Sequence, residues 1–293
     1  MNERFYLGVD GGGTACRARI YDCRARPLGE GRAQGASVRL GVQTAWRQIL
    51  QATHGALRTA GLDREILART RAGLGLAGAV DPEEWLRVAA YPHPFAGVEV
   101  VSDAHTAVLG AFAGDDGGVL IIGTGSCGMA LVEGRFHRVG GWGFPVSDHA
   151  SGAWLGLRAL RAALLCQEGL RPPSALCDRI LRPFDHCSPA VMRWQYTAQP
   201  RDYARFAQEV FAAADEGDTR AKQLLEQAAS EAAMLAEGVF ALGAPRLCVL
   251  GGVGRALISW LPVATRRALV TPRGDAMDGA RLLVQEPNRV PSP

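Results

Sequence analysis

Two glycine-rich turns constrain this chain more than any other feature, because each joins two short strand-like segments. The first turn, GVDGGGT at 8–14, follows the apolar run 5–9, and the second, IGTGSCG at 122–128, follows the apolar run 119–122. After each turn the pattern stays short and strand-like instead of following the helical period, which predicts a β-hairpin. One such turn is often only a tight hairpin, but two related turns, both with hydroxyl side chains, favour a shared function.

The same turns exclude two common nucleotide-binding motifs. A dinucleotide-binding fold sends the chain into a helix directly after its glycines. A P-loop requires Gly-Lys-Ser/Thr, whereas the only lysine of this chain is Lys222, inside a helical stretch. We therefore expect phosphate to be bound by backbone N–H groups of the hairpin turns, where glycine allows close approach.

Composition narrows the class of protein further. With 293 residues, 48% of them hydrophobic, the chain can bury a large core and form two domains. A net charge of +3 with scattered arginines predicts no nucleic-acid partner, and the absence of a long apolar run predicts no membrane span. Seven scattered cysteines without metal-ligand spacing, and no recognisable signal peptide, predict a cytoplasmic protein with reduced thiols.

The order of predicted elements indicates a mixed α/β chain. The first half is expected to run β-β-β-α-β-α-β-α, with a third strand at 27–33, helices at 42–60, from 81 and at 103–113, and strands at 71–77 and 99–102. The second half is helix-rich, with helices predicted at 154–168, 174–181, 202–214 and 218–242 and a strand at 246–250. We expect domains at 1–113 and 114–277, the first completed by a C-terminal helix near 278–286.

Six blocks of the sequence, in order along nearly the whole chain, resemble the actin, hexokinase and Hsp70 superfamily of nucleotide-binding proteins. They are 7–14, 100–110, 122–128, 140–143 with 147–156, 250–254 and 278–280. Within that superfamily the chain resembles the BadF/BadG/BcrA/BcrD ATPase family, in its branch of N-acetylglucosamine kinases and bacterial glucosamine kinases. The resemblance implies an α/β, two-domain actin-like ATPase (ribonuclease H-like) fold with a nucleotide cleft between the domains.

The activity implied by the resemblance is that of an ATP-dependent aminosugar kinase. It would use ATP and Mg²⁺ to phosphorylate the 6-hydroxyl of glucosamine or N-acetylglucosamine, a small-molecule partner, and a homodimer is left open. The alternative is an ATPase activator and electron-transfer partner of an acyl-CoA dehydratase or reductase, which needs cysteines at a dimer interface. Cys127 follows the second turn, but no companion motif accompanies it. A sugar-sensing regulator would carry a helix-turn-helix before the first strand, where this sequence has residues 1–4.

Two aspartates at predicted strand ends carry the implied chemistry. Asp103 follows the strand 99–102 and matches the general base that accepts the proton of the attacking hydroxyl; the alternative is a helix N-cap. Asp10 ends the first strand and matches a ligand of Mg²⁺, direct or through water. Its alternative is an Asx-type turn residue before the glycines.

The remaining implied contacts come from glycine-rich turns and from a sugar-binding wall. The nucleotide contacts are Gly11, Gly12, Gly13, Thr14, Gly123, Thr124, Gly125, Ser126, Gly251, Gly252 and Gly254. The sugar contacts are Gly141, Trp142, Asp148, Ser37 and Ala77, with Trp142 equally open to a core position. Because Ser37 and Ala77 stand where relatives commonly carry asparagine and serine, we expect free glucosamine to be the better substrate. The roles of His149 and Ala150, which depart from the commoner motif, stay open.

Overall fold

The computed structural model describes residues 4–285. The strands in chain order are β1 (Phe5–Gly11), β2 (Ala15–Tyr21), β3 (Pro27–Gln34), β4 (Thr70–Leu76), β5 (Gly97–Ser102), β6 (Gly117–Ile122), β7 (Ser126–Val132), β8 (Arg135–Val139) and β9 (Leu247–Leu250). The α-helices are α1 (Val42–Ala60), α2 (Pro82–Ala89), α3 (Asp103–Phe112), α4 (Gly152–Gln167), α5 (Ala175–Leu181), α6 (Ser188–Gln195), α7 (Pro200–Ala204), α8 (Phe206–Asp215), α9 (Thr219–Ala241), α10 (Gly252–Leu257), α11 (Val263–Arg267) and α12 (Ala276–Gln285). None of the helices within 4–285 combines the length and apolar character needed to cross a membrane.

The chain separates into two compact units. Unit 1 contains the chain up to Val119, Met129–His137 and the segment from Thr271 onward, and unit 2 contains Leu120–Gly128 and Arg138–Val270. The division therefore runs through β6 and β7. The boundaries 1–113 and 114–277 stay a prediction, and residue 286 of the predicted last helix lies outside the described residues.

Unit 1 is built on a five-stranded sheet of order β3-β2-β1-β4-β5. The first hairpin pairs β1 with β2 antiparallel, and β3 continues in the same way. By contrast, β4 runs parallel to β1, and β5 runs parallel to β4. The carboxyl ends of β1, β4 and β5 therefore meet at one edge of the sheet, the edge where open α/β sheets bind ligands.

Helices cover this sheet on apolar faces. α1 buries Trp46, Ile49 and Leu57 and packs on β2 and β3. α12 packs on β1 and β4 and against α3. Gly8 on β1 allows α12 to approach this closely, because a Cβ at this position would lie 2.0 Å from the carbonyl oxygen of Met277. The sheet and α12 thereby hold the edge of unit 1 in a fixed geometry.

Strands β6 to β9 form a four-stranded sheet of order β8-β7-β6-β9. The helical part of unit 2 is centred on α4, which packs against α5, α7, α8 and α9. α4 begins after Ser151, whose hydroxyl accepts a hydrogen bond from the N–H of Trp154 at 3.1 Å, as an N-cap should. This capped end of α4 lies next to the second glycine-rich turn.

One predicted helix of unit 2 is wrong in its extent. The sequence predicts a single helix over 202–214, but the structure has α7 ending at Ala204 and α8 beginning at Phe206. Arg205 keeps helical dihedral angles, so the interruption is confined to this one residue. Tyr203, next to the interruption, is buried, and its ring lies near those of Phe144 and Trp194.

Candidate active site

Three sequence-predicted site residues meet at the carboxyl edge of unit 1. Asp10 lies near the end of β1, Ala77 directly follows β4, and Asp103 directly follows β5. The register pairs Gly11 with Leu76 and Leu76 with Ser102, so the three strands end level with one another. Since neighbouring strands lie about 4.8 Å apart, β1 and β5 lie about 10 Å apart at this edge, two strand spacings, and Asp10 and Asp103 stand at the ends of these two strands.

Asp10 is held by an arginine across the hairpin. The register places Arg17 of β2 opposite Asp10, and its Nη2 and Nε lie 2.6 Å and 3.2 Å from the same carboxylate oxygen, Oδ2. Burial alone would lower the pKa of the Arg17 guanidinium, but the hydrogen bond and charge of Asp10 outweigh it and raise that pKa. The arginine is therefore a permanent positive charge beside the first turn.

Some backbone groups of the first turn are hydrogen-bonded within unit 1. The N–H of Gly12 donates to the carbonyl oxygen of Ala15 at 2.9 Å, and the N–H of Ala36 donates to the carbonyl oxygen of Gly12 at 3.0 Å. A Cβ on Gly13 would meet no heavy atom within 4 Å, and Thr14 is exposed. The open side of the turn is therefore at Gly13 and Thr14, while Gly11 and Gly12 hold the hairpin closed.

Ser37 and Ala77, both predicted to contact the sugar, contact each other. The Ser37 hydroxyl donates to the carbonyl oxygen of Ala77 at 2.9 Å, and the N–H of Val38 donates to the same oxygen at 3.0 Å. The N–H of Ala77 in turn donates to the carbonyl oxygen of Gly11 at 2.8 Å. Ser37 is buried, and its hydroxyl proton is already donated to Ala77. These contacts therefore stabilise the edge of the sheet and leave no hydroxyl proton of Ser37 for a ligand.

Asp103 is the first residue of α3, one position inside the helix from the N-cap residue, Ser102. Its Oδ1 accepts the N–H of Ala104 at 2.9 Å. The Ser102 hydroxyl instead contacts Nδ1 of His105 at 2.7 Å, and the His105 ring packs edge-on against Trp85. The carboxylate therefore stands at the N-terminus of α3, at the carboxyl edge of the sheet.

The second turn is tied to the start of a helix in unit 2. The N–H of Gly123 donates to the carbonyl oxygen of Gly125 at 2.8 Å. The carbonyl oxygens of Gly123 and Thr124 accept the N–H groups of Gly152 and Ala153, at 2.8 Å and 3.1 Å. The first N–H donors of α4 are thereby satisfied by the turn, and the turn is fixed at the helix N-terminus.

Residues 140–143 and Asp148, predicted as the sugar-binding wall, lie against the second turn. A Cβ on Gly125 would come within 2.7 Å of Oδ2 of Asp148, so the two predicted contacts are neighbours. Asp148 is buried and has a left-handed backbone, with φ of 62°. Trp142 is 73% exposed, which rules out the core position left open by the sequence. The backbone N–H of Trp142 donates to the Ser147 hydroxyl at 3.3 Å, and a Cβ on Gly141 would clash with Cys127.

The third glycine-rich turn shares a cavity with the second. A Cβ on Gly251, whose φ is 87°, would lie 2.2 Å from the carbonyl oxygen of Ile122, so only glycine fits there. A cavity of about 550 Å³ in unit 2 is lined by Gly123, Thr124, Ala204, Ala207, Gln208, Phe211, Gly252, Val253 and Ala256. Gly252 thus opens into the cavity, whereas a Cβ on Gly254 would meet Val249 and Ile122. The volume and apolar walls suit a planar, mostly apolar ligand group.

These features define the class of the protein. Its mixed sheet, two glycine-rich hairpin turns and glycine turn after β9 are those of an α/β actin-like ATPase with a ribonuclease H-like fold, as the sequence predicted. The chain belongs to the BadF/BadG/BcrA/BcrD ATPase family, whose model matches residues 7–261. The expected family is therefore confirmed.

Three relatives show what the chain resembles. Glucosamine kinase GspK from Vibrio cholerae serotype O1 is 38% identical over 283 residues, 97% of this chain and 96% of the relative. An N-acetylmuramic acid/N-acetylglucosamine kinase from Clostridium acetobutylicum is 27% identical over 241 residues, 78% of this chain and 76% of the relative. The crystal structure of a Chromobacterium violaceum protein, provisionally described as an N-acetylglucosamine kinase, matches with a TM-score of 0.91 at 34% identity, covering 97% and 99% of the two chains.

Sequence reasoning missed several residues of the site. Arg17 could have been found, because a hairpin that turns at 12–15 sets Asp10 and Arg17 opposite each other. The contribution of α8 to the cavity, through Gln208 and Phe211, had no sequence signal. The contact between His149 and Glu231 also had no sequence signal, because these residues lie far apart in the chain.

Proposed function

We propose that the chain is an ATP-dependent aminosugar kinase that transfers the γ-phosphate of ATP to the 6-hydroxyl of glucosamine. The observation that carries the proposal is the carboxyl edge of unit 1, where Asp10 and Asp103 end parallel strands beside the first turn. Similarity to glucosamine kinase GspK over nearly the whole chain supports the aminosugar as substrate class, and membership of an ATPase family supports ATP. These relatives favour the kinase over the electron-transfer alternative.

Asp103 is the proposed general base. A carboxylate can accept the proton of the attacking hydroxyl as the phosphoryl group transfers, provided that it lies within hydrogen-bond reach of that hydroxyl. Its place at the first residue of α3 keeps the side chain at the sheet edge. Its Oδ1 also accepts the N–H of Ala104, which restrains the side chain at the start of α3.

Asp10 is the proposed protein ligand of Mg²⁺. Within residues 4–285 no group of three or more His, Cys, Asp or Glu side chains is arranged to hold a metal ion, so one carboxylate would share the ion with phosphate oxygens and water. Arg17 binds Oδ2 of Asp10, so Oδ1 is the oxygen that we propose would contact the ion. When bound, Mg²⁺ supplies charge neutralisation for the phosphates.

The glycine-rich turns are the proposed phosphate and adenosine contacts. In the first turn Gly13 and Thr14 have the open side, and Gly11 and Gly12 support them. In unit 2 the turn formed by Gly123, Thr124, Gly125 and Ser126 would contact phosphate. The adjoining cavity, at Gly252 and next to Gly251 and Gly254, would hold the base and ribose.

The proposed sugar contacts of unit 2 are Asp148, Gly141 and Trp142, and those of unit 1, taken by itself, are Ser37 and Ala77. A buried carboxylate accepts hydrogen bonds from sugar hydroxyls or from an amine but donates none. Because the Ser37 hydroxyl already donates to Ala77, it is not a ready donor for an acetamide oxygen. We propose a cytoplasmic location, in keeping with ATP use and reduced cysteines, and leave the oligomeric state open.

The test is a coupled ATPase assay with glucosamine, N-acetylglucosamine, glucose and mannosamine, and phosphorus NMR of the product. We expect Mg²⁺-dependent ADP release that requires an aminosugar, with phosphate on the 6-hydroxyl. Sugar-independent ATP hydrolysis alone would contradict the kinase proposal.

The same assay tests substrate preference. We expect glucosamine to have the higher kcat/KM, because an acetamide without polar partners loses about 1–3 kcal/mol on burial. A tenfold advantage for N-acetylglucosamine would overturn this preference and leave the kinase proposal standing.

A further inference from the structure

We infer that Cys166 and Cys177 of unit 2 form a reversible disulfide when the protein meets a hydroperoxide, and that this bond ties α4 to α5. Cys166 lies one residue before the end of α4, and Cys177 lies in the first turn of α5. The two thiols take no part in the proposed phosphoryl transfer, so the disulfide and the kinase activity can be tested apart.

The sulfur atoms of the two residues are neighbours. Both residues are free cysteines, and Sγ of Cys166 lies 2.7 Å from Sγ of Cys177. A disulfide bond has an S–S length of about 2.0 Å, so bond formation needs only a small shift of the two side chains. Helices α4 and α5 pack directly on each other, which keeps the two residues close.

The backbone near each thiol is held by local hydrogen bonds. After the end of α4, the N–H of Gly169 donates to the carbonyl oxygen of Cys166 at 3.1 Å. At the start of α5, the N–H of Cys177 donates to the hydroxyl of Ser174, the N-cap residue, at 3.3 Å. The pair is therefore brought together by the ends of two ordered helices.

The two thiols differ in their access to solvent. Cys166 is half-buried, and its thiol donates to the carbonyl oxygen of Pro172 at 3.2 Å. Cys177 is only 4% exposed, and burial raises the pKa of its thiol above the usual range. Because oxidants attack cysteines that they can reach and that can lose a proton, Cys166 is the residue that reacts first. Cys177 then meets the oxidised Cys166 as its protonated neighbour.

The chemistry takes two steps. The Cys166 sulfur attacks one oxygen of the hydroperoxide, so that an S–O bond forms and the O–O bond breaks. Cys166 becomes a sulfenic acid, and the other oxygen leaves with the thiol proton as water or an alcohol. The Cys177 sulfur then attacks the Cys166 sulfur; the S–S bond forms, the S–O bond breaks, and the hydroxyl leaves with the Cys177 proton as water. Each sulfur has lost one electron, and the hydroperoxide has gained both.

The bond would act as a brace within unit 2. α4 begins at the second glycine-rich turn and packs against α8, which contributes to the cavity wall. A disulfide stabilises mainly by restricting the unfolded chain, so oxidation should stabilise this unit. A dithiol reductant would restore both thiols by exchange. Transient, redox-responsive disulfides of this kind are compatible with a cytosolic protein.

The experiment treats the reduced protein with equimolar hydrogen peroxide and maps the products by mass spectrometry. We expect a disulfide between Cys166 and Cys177, seen as a mass loss of about 2 Da, and its reversal by dithiothreitol. In Cys177→Ala the sulfenic acid of Cys166 has no thiol partner, so dimedone should label Cys166. Cys187→Ser removes another half-buried cysteine of unit 2 and is the matched control, in which the same disulfide should still form.

Thermal unfolding of each protein, oxidised and reduced, measures the brace. The oxidised wild type should have a Tm about 5 °C above that of the reduced wild type. This difference should disappear in Cys177→Ala and in Cys166→Ser, the substitution at the more exposed position. Because each protein is compared with its own reduced form, a lower starting stability of a variant does not alter the result.

Two outcomes would overturn the inference. One is a wild type that forms no disulfide, or forms it between other cysteines, under these conditions. The other is a disulfide between Cys166 and Cys177 that leaves the Tm unchanged, which would remove the stabilising role. Neither outcome bears on the kinase proposal, because neither measurement uses the sugar or ATP.

Discussion

The two glycine-rich hairpin turns look alike in sequence but have different surroundings. The first turn lies beside charged groups, with Asp10 and Arg17 opposite each other across its strands. The second turn has its carbonyl groups bonded to the first N–H groups of α4 and lies next to an apolar cavity. In the first turn Gly13 has free space around its Cα, while in the second Gly125 is covered by Asp148.

This difference predicts that the first turn acts mainly in phosphoryl transfer and the second mainly in nucleotide binding. Charged groups beside a phosphate-binding turn can neutralise and position a reacting phosphoryl group. A turn anchored to a helix and bordered by a cavity is suited to holding the rest of a nucleotide in a fixed position. We therefore expect substitutions in unit 1 to change mainly the rate of phosphoryl transfer, and substitutions near the second turn to change mainly binding.

The strongest test of this division is Asp103→Asn. Removal of a general base should lower kcat about 10²–10⁴-fold, and sugar binding should stay close to that of the wild type. Steady-state kinetics measures kcat, and direct titration of glucosamine measures sugar binding separately. Activity within a few-fold of the wild type would show that Asp103 is not the base.

Alanine substitutions in the two turns compare them directly. In Gly125→Ala the new Cβ would lie 2.7 Å from Oδ2 of Asp148 and displace that carboxylate, so kcat/KM for the sugar should fall about 10²-fold. In Gly13→Ala the Cβ meets no heavy atom within 4 Å, so the free energy of unfolding should change by less than about 0.5 kcal/mol. Denaturant unfolding and steady-state kinetics check both. Equal decreases in the free energy of unfolding of Gly125→Ala and Gly13→Ala would show that the two turns do not differ in the space around these glycines.

Filling the cavity of unit 2 tests its role in binding the nucleotide. Ala256→Phe adds a ring to the cavity wall, and we expect KM for ATP to rise about tenfold while kcat changes little. Ala268→Phe, at an exposed position outside the cavity lining, is the control. A fall in kcat without a change in KM for ATP would argue against a binding role for the cavity.

The smallest expected effect concerns the ion-pair network that holds the first hairpin to α12. Asp278 accepts hydrogen bonds from Tyr21 and Arg19, at 2.8 Å and 3.1 Å. Burial alone would raise the pKa of Asp278, but the backbone N–H of Asp275 and these side-chain donors outweigh it and lower that pKa. A carboxyl whose pKa is lower in the folded state adds stability above its unfolded pKa of about 4 and loses it as pH falls through the folded pKa.

Asp278→Asn should therefore destabilise the protein by about 1 kcal/mol at neutral pH and weaken the loss of stability on acidification below about pH 4. Thermal unfolding between neutral and acidic pH measures this. Asp215→Asn, at an exposed position at the end of α8, is the control and should leave the pH dependence as it is. An Asp278→Asn protein with the pH profile of the wild type would show that the network adds no pH-dependent stability.

The sequence alone predicted the local features of this protein. Both hairpin turns, the capped start of α2 at Asp81 and the strand-to-helix step at Asp103 follow from short-range patterns, because apolar periodicity and glycine positions act within a few residues. The family resemblance then supplied the class of fold, which the comparisons confirmed. It also supplied the roles of Asp10 and Asp103, which stay predictions.

Only the tertiary structure decided which residues lie together. The order β3-β2-β1-β4-β5 brings Asp10 and Asp103 to one edge, and no local pattern encodes which strands pair. A one-residue interruption at Arg205 separates α7 from α8, where periodicity predicted a single helix. The contact between His149 and Glu231 joins distant parts of the chain. Such contacts depend on loop closure and long-range packing, which act over the whole folded chain, whereas sequence patterns report only the preferences of neighbouring residues.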